Sequence, residues 1–154
     1  MNKKNNRRFF RYPFIIHADP LKENTAYPTH THGLTEIGMP EFFMDPLAFG
    51  GDGNAGRINC SYDYFKKSKN KAKLKSILKG QTLKLTGAEL CKKHLRNDPY
   101  TYCFREARPE FEGVKLAYPG DVAGECPGIR FIQIYVEGDD YVLMDDYYRG
   151  GVKW

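Results

Sequence analysis

The sequence predicts a single α+β domain, a mainly antiparallel β-sheet with two or three helices. Three observations predict it. Short runs rich in β-branched and aromatic residues recur between Pro, Gly, Asn and Asp, and 129–136 (Ile-Arg-Phe-Ile-Gln-Ile-Tyr-Val) is the strongest of them. Helical composition is confined to the middle of the chain, between 61 and 97. With 154 residues, 41% hydrophobic and 14% aromatic, the chain is long and apolar enough for one core and is no disordered polymer.

Residues 1–8 are polar and basic without a period and read as a flexible tail, leaving 9–154 as the domain. The basic start suggests a signal peptide, but Arg11 and Pro13 fall where its apolar stretch would have to run. Nowhere does an apolar run approach the roughly 18 residues of a membrane helix. The expected compartment is therefore the cytoplasm, with no membrane partner. Residues 9–17 read as a first strand, closed at Asp19-Pro20 because a residue before proline is pushed away from helix. Residues 27–34 read as a second, which Pro28 restricts to an edge, and Gly33 lets the backbone relax or a neighbour approach closely. Gly38-Met39-Pro40 is a turn, and Phe42, Phe43 and Met44 in succession favour a buried strand ended by Asp45-Pro46.

Gly50 to Gly56 holds four glycines in seven residues. Arg57 and Ile58 stand where a Walker loop has Lys and Ser or Thr, and no βαβ setting flanks it, so it reads as a flexible surface loop. Residues 61–78 look helical but not as one helix. At about 100° per residue, Phe65 and Ala72 share a face while Leu74, Ile77 and Leu78 lie roughly opposite. A break near Ser68-Lys69-Asn70 resolves this, with a second helix over 71–79 ended by Gly80. Residues 81–85 are a short strand. Thr86-Gly87-Ala88-Glu89 has capping-box spacing and opens a helix with Leu90, Cys91, His94 and Leu95 as its apolar stripe, ending before Asp98-Pro99. Residues 100–104 and 114–118 are further strands, and Gly138-Asp139-Asp140 turns 129–136 into an antiparallel hairpin with 141–144.

The net charge of +5 is local. Residues 1–12 carry five basic residues and no acid, and 66–79 carry seven lysines and no acid, leaving 12 basic against 19 acidic residues elsewhere. Lys66, Lys67, Lys69, Lys71, Lys73, Lys75 and Lys79 form a candidate binding surface for nucleic acid or an acidic partner, with Tyr62, Tyr64 and Phe65 nearby to stack a base. Lysines give affinity without sequence reading, and a solvated helix face is the plainer role. Glu137, Asp139, Asp140, Asp145 and Asp146 surround the last hairpin, offering oxygen donors for Ca²⁺ or Mg²⁺ without EF-hand spacing, or an acidic surface for a basic partner. Eleven tyrosines, four of them within 135–148, add material for a protein-binding surface. Cys60, Cys91, Cys103 and Cys126 form no close pair, which argues against a four-cysteine zinc site and for buried thiols. No local context makes Cys60 or Cys103 a nucleophile.

The densest chemistry lies in 29–43. In a strand, His30 and His32 point to one face, with Thr29, Thr31 and Gly33 opposite. Two imidazoles with Glu36 or Glu41 as an oxygen ligand suit Zn²⁺ or Fe²⁺ and leave positions open for water. Without a metal, an imidazole beside Glu41 is a general base, and Glu41 is equally suited to capping backbone amides near Gly38. His30, His32, Glu36 and Glu41 are therefore the candidate site for a small molecule or metal. The alternative is a non-catalytic interaction protein, of an immunity or defence type, working through its opposed charged surfaces.

His32-Gly33-Leu34-Thr35-Glu36 with Pro40-Glu41-Phe42 resembles the signature of a bacterial domain-of-unknown-function family, number 4262. Its members show Tyr-Thr-x-Gly-Leu-Thr followed shortly by Pro-Glu-Leu. Thr31, Gly33, Leu34, Thr35, Pro40 and Glu41 match that pattern, while His30 stands for the tyrosine and Phe42 for the leucine. Leu116-Ala117-Tyr118-Pro119-Gly120-Asp121 is similar to an apolar strand ending in Tyr-Pro-Asp in that family. The main motif spans about a tenth of the chain. The resemblance implies a bacterial or mobile-element origin and assigns no activity.

Overall fold

A six-stranded sheet organises the protein, in the order β1-β2-β3-β6-β5-β4. The computed structural model describes residues 12–17, 29–44, 48–107 and 130–138. The strands are β1 (Ile15–His17), β2 (Thr29–His32), β3 (Glu41–Met44), β4 (Leu83–Thr86), β5 (Thr101–Ala107) and β6 (Phe131–Val136). Strands β1, β2 and β3 form one antiparallel meander and β4, β5 and β6 a second. The two meet where β3 and β6 pair in parallel, Phe42 opposite Ile132 and Met44 opposite Ile134. The expected α+β class and predominantly antiparallel sheet are borne out. Nothing in the sequence announces the parallel joint. The 141–144 half of the expected hairpin, the 114–118 strand and residues 1–11 lie outside the described residues.

The link between the meanders carries the helices α1 (Gly50–Phe65) and α2 (Lys71–Ile77), with a 3-10 turn at Ser68–Asn70 between them. This is the break that the misaligned apolar faces required. Asn70 is buried and its Nδ2 donates to Tyr64 O at 2.9 Å, tying the turn to the end of α1. Gly80, with φ +97°, follows α2 as expected. The capping box also forms: Glu89 N donates to Thr86 Oγ1 at 3.2 Å, and Thr86 N to Glu89 Oε2 at 2.8 Å. The helix it opens is not continuous. Cys91, at φ −154° and ψ 89°, divides it into α3 (Gly87–Leu90) and α4 (Lys92–Leu95), so the expected third helix is two single turns. Leu90 and Leu95 are buried as the apolar stripe requires, but His94 is exposed.

The glycine-rich stretch is a correction. It is no surface loop but the first turns of α1, the longest helix among the described residues. Tertiary contacts override the helix penalty of glycine, about 1 kcal/mol per residue against alanine. Asn54, Ile58, Ser61 and Phe65 recur at helical spacing and are all buried against the sheet. Two of these four are polar, and both are hydrogen-bonded: Asn54 Nδ2 donates to Thr29 Oγ1 at 3.1 Å, and Ser61 Oγ to Arg57 O at 2.8 Å. Phe65 stacks on Phe42 at 5.9 Å and meets Phe104 edge-on at 5.2 Å, so one ring bridges both halves of the sheet. The same core cluster holds Met44, Ile132, Ile134, Tyr102 and Leu85. Tyr12, Phe14 and Tyr62 extend this cluster under β1, with Phe14 and Tyr62 rings 5.0 Å apart.

Truncating the bridging ring should be costly. Phe65→Ala is expected to lower unfolding stability by ~3–5 kcal/mol, measured by urea denaturation with an unchanged transition slope.

Candidate functional site

Segment 29–43 folds as β2, a 3-10 turn at Thr35–Ile37 and β3. Gly33 has φ +107°, and a Cβ there would lie 3.2 Å from Pro13 O, so both expectations for this glycine are met. Glu41 is buried and holds the turn. Its Oε2 accepts from Thr31 Oγ1 at 2.5 Å, and its Oε1 accepts from Thr35 N at 2.8 Å and Thr35 Oγ1 at 2.9 Å. Thr31 Oγ1 in turn accepts from Phe42 N at 2.9 Å. The carboxylate thus satisfies three donors of the turn and strand it follows, a structural role of the kind considered for it, on Thr35 rather than near Gly38.

The candidate residues are brought together only in part. The rings of His30 and His32 lie 5.2 Å apart at 39°, His30 buried and His32 half-buried. Glu36 is exposed on the 3-10 turn. Both oxygens of Glu41 are engaged by threonines, although its alternation with Phe42 along β3 puts it on the same sheet face as Phe43 and His30. Two imidazoles are adjacent, but no group of three or more His, Cys, Asp or Glu among the described residues is arranged to hold a metal ion.

Strand register places further residues beside the histidines. His17 is opposite His30, His30 opposite Phe43, Phe43 opposite Gln133, and Gln133 opposite Arg105. This row crosses five strands, and its members alternate with Phe42, Met44, Ile132, Ile134 and Phe104, which face α1. His30, Phe43, Gln133 and Arg105 therefore lie on the face of the sheet turned away from α1. Gln133 is fully buried and its Oε1 accepts from Arg105 Nε at 2.9 Å. The guanidinium Nη2 of Arg105 is buried with no hydrogen-bond acceptor among the described residues. Neither residue stands out in the sequence as a site candidate. Gln133 carries a signal, a polar residue between Ile132 and Ile134 in the most apolar strand; Arg105 carries none.

A second constellation is equally hidden in the sequence. Arg57 Nε donates to Tyr102 OH at 2.8 Å, Arg57 Nη2 to Asp98 Oδ2 at 3.1 Å, and Tyr102 OH to Asp98 Oδ2 at 2.6 Å. The guanidinium lies 3.5 Å from the centre of the Phe49 ring. Burial, and then the bond to Asp98, push the Tyr102 hydroxyl well above the ordinary tyrosine range, so it is a donor in a fixed network and no base.

The lysines of 66–79 are all exposed. Lys66 pairs with Asp63 at 3.0 Å, and Lys73 Nζ donates to Tyr64 OH at 2.7 Å. Tyr62, Tyr64 and Phe65 are core residues, so the expected base-stacking role is corrected: their faces are spent on Phe14, Phe42 and Phe104. In the acidic patch, Glu137 is ion-paired with Lys84, while Asp139, Asp140, Asp145 and Asp146 lie outside the described residues. Cys60, Cys91 and Cys103 are free thiols. Burial and the neighbouring Cys91 push the Cys60 thiol up to about 12, and burial raises Cys103, the opposite of what a nucleophile needs. Comparison with protein-family models, curated proteins and solved structures returns no match.

The thiol shifts have a consequence for stability. Cys60 holds its proton in the folded protein up to about 12 but releases it near 9.0 when unfolded. Its contribution is fully present below pH 9.0 and is lost as pH rises through 12, and Cys103 and Tyr102 act in the same direction. Urea midpoints should therefore fall steadily above pH 9.0, and Cys60→Ser should flatten that fall.

Proposed function

We propose that this chain is a small cytoplasmic ligand-binding domain that takes a small anionic molecule on the sheet face bearing His30 and His32. The observation that carries this reading is Arg105. Its Nη2 is buried without an acceptor among the described residues, and Gln133 fixes its Nε. A buried unsatisfied donor costs ~1–3 kcal/mol, more when charged, and a carboxylate or phosphate would relieve that cost. Gln133 on β6 and His30 on β2 are two strand spacings apart, ~10 Å, a span that one small ligand can bridge. The imidazoles would then orient its far end. A metal is not required by this reading. Zinc normally takes three or four protein ligands, and the histidine pair offers two. The likeness of the 31–42 motif to family 4262 supports a bacterial source and says nothing of the ligand.

A second reading, for an acidic partner or nucleic acid, is favoured by one observation. Lys67, Lys69, Lys71, Lys75 and Lys79 are exposed along the 3-10 turn and α2, and no ion pair engages them among the described residues. Binding there would be to phosphates or carboxylates in general and would weaken steeply with salt.

A thermal-shift screen of small carboxylates and phosphates separates the two. A ligand at this face should raise Tm by ~2–4 °C per kcal/mol of stabilisation, which grows with the logarithm of ligand concentration over Kd. Arg105→Gln and His30→Ala should each abolish the rise while Lys71→Glu/Lys75→Glu leaves it intact. A rise that survives Arg105→Gln but disappears in the lysine variant would overturn the first reading in favour of the second.

A further inference from the structure

We propose that the depression beside α4 is a separate binding site for a phosphorylated ring compound of mononucleotide size. It is an open cavity of ≈ 580 Å³, lined among others by Arg57, Lys93, His94, Arg96, Asp98 and Tyr100. That volume lies within the ~300–1,000 Å³ of small-molecule sites. The chemistry of the lining specifies the ligand from three directions.

The first is charge. Lys93 and Arg96 are three residues apart, on neighbouring positions of one helical turn, and both are exposed. No ion pair among the described residues engages either one. Asp98 does not neutralise them, because its oxygens are spent. Oδ2 accepts from Arg57 and Tyr102, and Oδ1 accepts from Tyr100 N at 2.9 Å. Two such cations at the rim suit a dianionic phosphate better than a single carboxylate.

The second is a stacking surface. Tyr100 is 40% exposed, more than any other Phe or Tyr side chain among the described residues. Its ring is braced edge-on by Phe49, 5.2 Å away at 69°, so the exposed ring offers a fixed face to a planar group.

The third is rigidity. Arg57 joins α1 to the lining through Tyr102, Asp98 and Gly53 O. Gly87 brings α3 against the C-terminal end of α4, since a Cβ there would stand 2.4 Å from Leu95 O. The rim cations and the stacking ring are thus mounted on a frame that binding need not order.

A free mononucleotide and the terminal nucleotide of a single strand present the same chemistry. The test is titration of the full chain with adenosine 5′-monophosphate, adenosine, inorganic phosphate and a short 5′-phosphorylated single-stranded oligonucleotide. Backbone amide NMR shifts locate the binding. The expected result is saturable shifts centred on 93–100 with the mononucleotide, at an affinity about tenfold above adenosine or phosphate alone. Lys93→Glu/Arg96→Glu should lower it about tenfold, and Tyr100→Ser should reduce it to the level of phosphate. The same shifts at higher affinity with the oligonucleotide also support the site and name a strand end as its source. Shifts that centre elsewhere, or equal affinity for mononucleotide and inorganic phosphate, overturn it. The substituted residues are exposed, and the wild-type shift map decides the matter if a variant misfolds. The site is independent of Arg105, so Arg105→Gln should leave the mononucleotide-induced shifts at 93–100 unchanged.

Discussion

Everything in this fold hangs on β3. Its four residues are buried, and it is the strand through which the two antiparallel meanders become one sheet. On one side Thr31 Oγ1 accepts from Phe42 N, extending the β2 ladder by a side chain where backbone pairing stops. On the other, β3 runs parallel to β6, and Glu41 N donates to Arg130 O at 2.9 Å just ahead of that ladder. Phe42 passes the joint on to α1 through Phe65. The buried Glu41 carboxylate fixes where the strand begins by bonding the turn that precedes it. A charge placed there looks like chemistry in the sequence, and in the fold it is spent on backbone and hydroxyl donors.

The joint also decides what the sheet face turned away from α1 can do. Because side chains alternate along each strand, the same register that puts Phe42, Ile132 and Phe104 under α1 lines up His30, Phe43, Gln133 and Arg105 on the other side. Residues from β2 and β5, 75 positions apart in sequence, share one row only because β3 and β6 pair between them. A one-residue slip would send the polar row into the core. The polar face and the core are one specification.

Local signals are legible in the chain, and non-local ones are not. The capping box at Thr86, the break at Ser68–Asn70, Gly80 and the 131–136 strand are set by neighbours a few residues away, and each forms close to where the sequence puts it. The start of α1 is hidden because its buried stripe is half polar. Asn54 and Ser61 break the apolar period, and the partner that makes Asn54 acceptable, Thr29, is 25 residues distant. The histidine pair is visible as His-x-His on a strand, whereas Arg105 and Gln133 join its row only through the parallel β3–β6 pairing, which no spacing announces. The lysines are exposed, as a solvated helix face requires. The tyrosines beside them are not, and nothing in the local sequence separates an aromatic ring that packs inward from one that faces a ligand.

The most direct test of the β3 joint is native-state amide hydrogen exchange. If β3 and β6 weld two meanders into one cooperative unit, the amides of Phe43, Met44, Ile132 and Ile134 should be among the slowest in the chain and exchange only with global unfolding. Their exchange should then respond to denaturant with the full unfolding slope, in step with Phe104 on β5. Rapid exchange at β3 with the β4-β5-β6 meander still protected would contradict the account. The two halves would then open separately, and no site built across their joint could hold its shape.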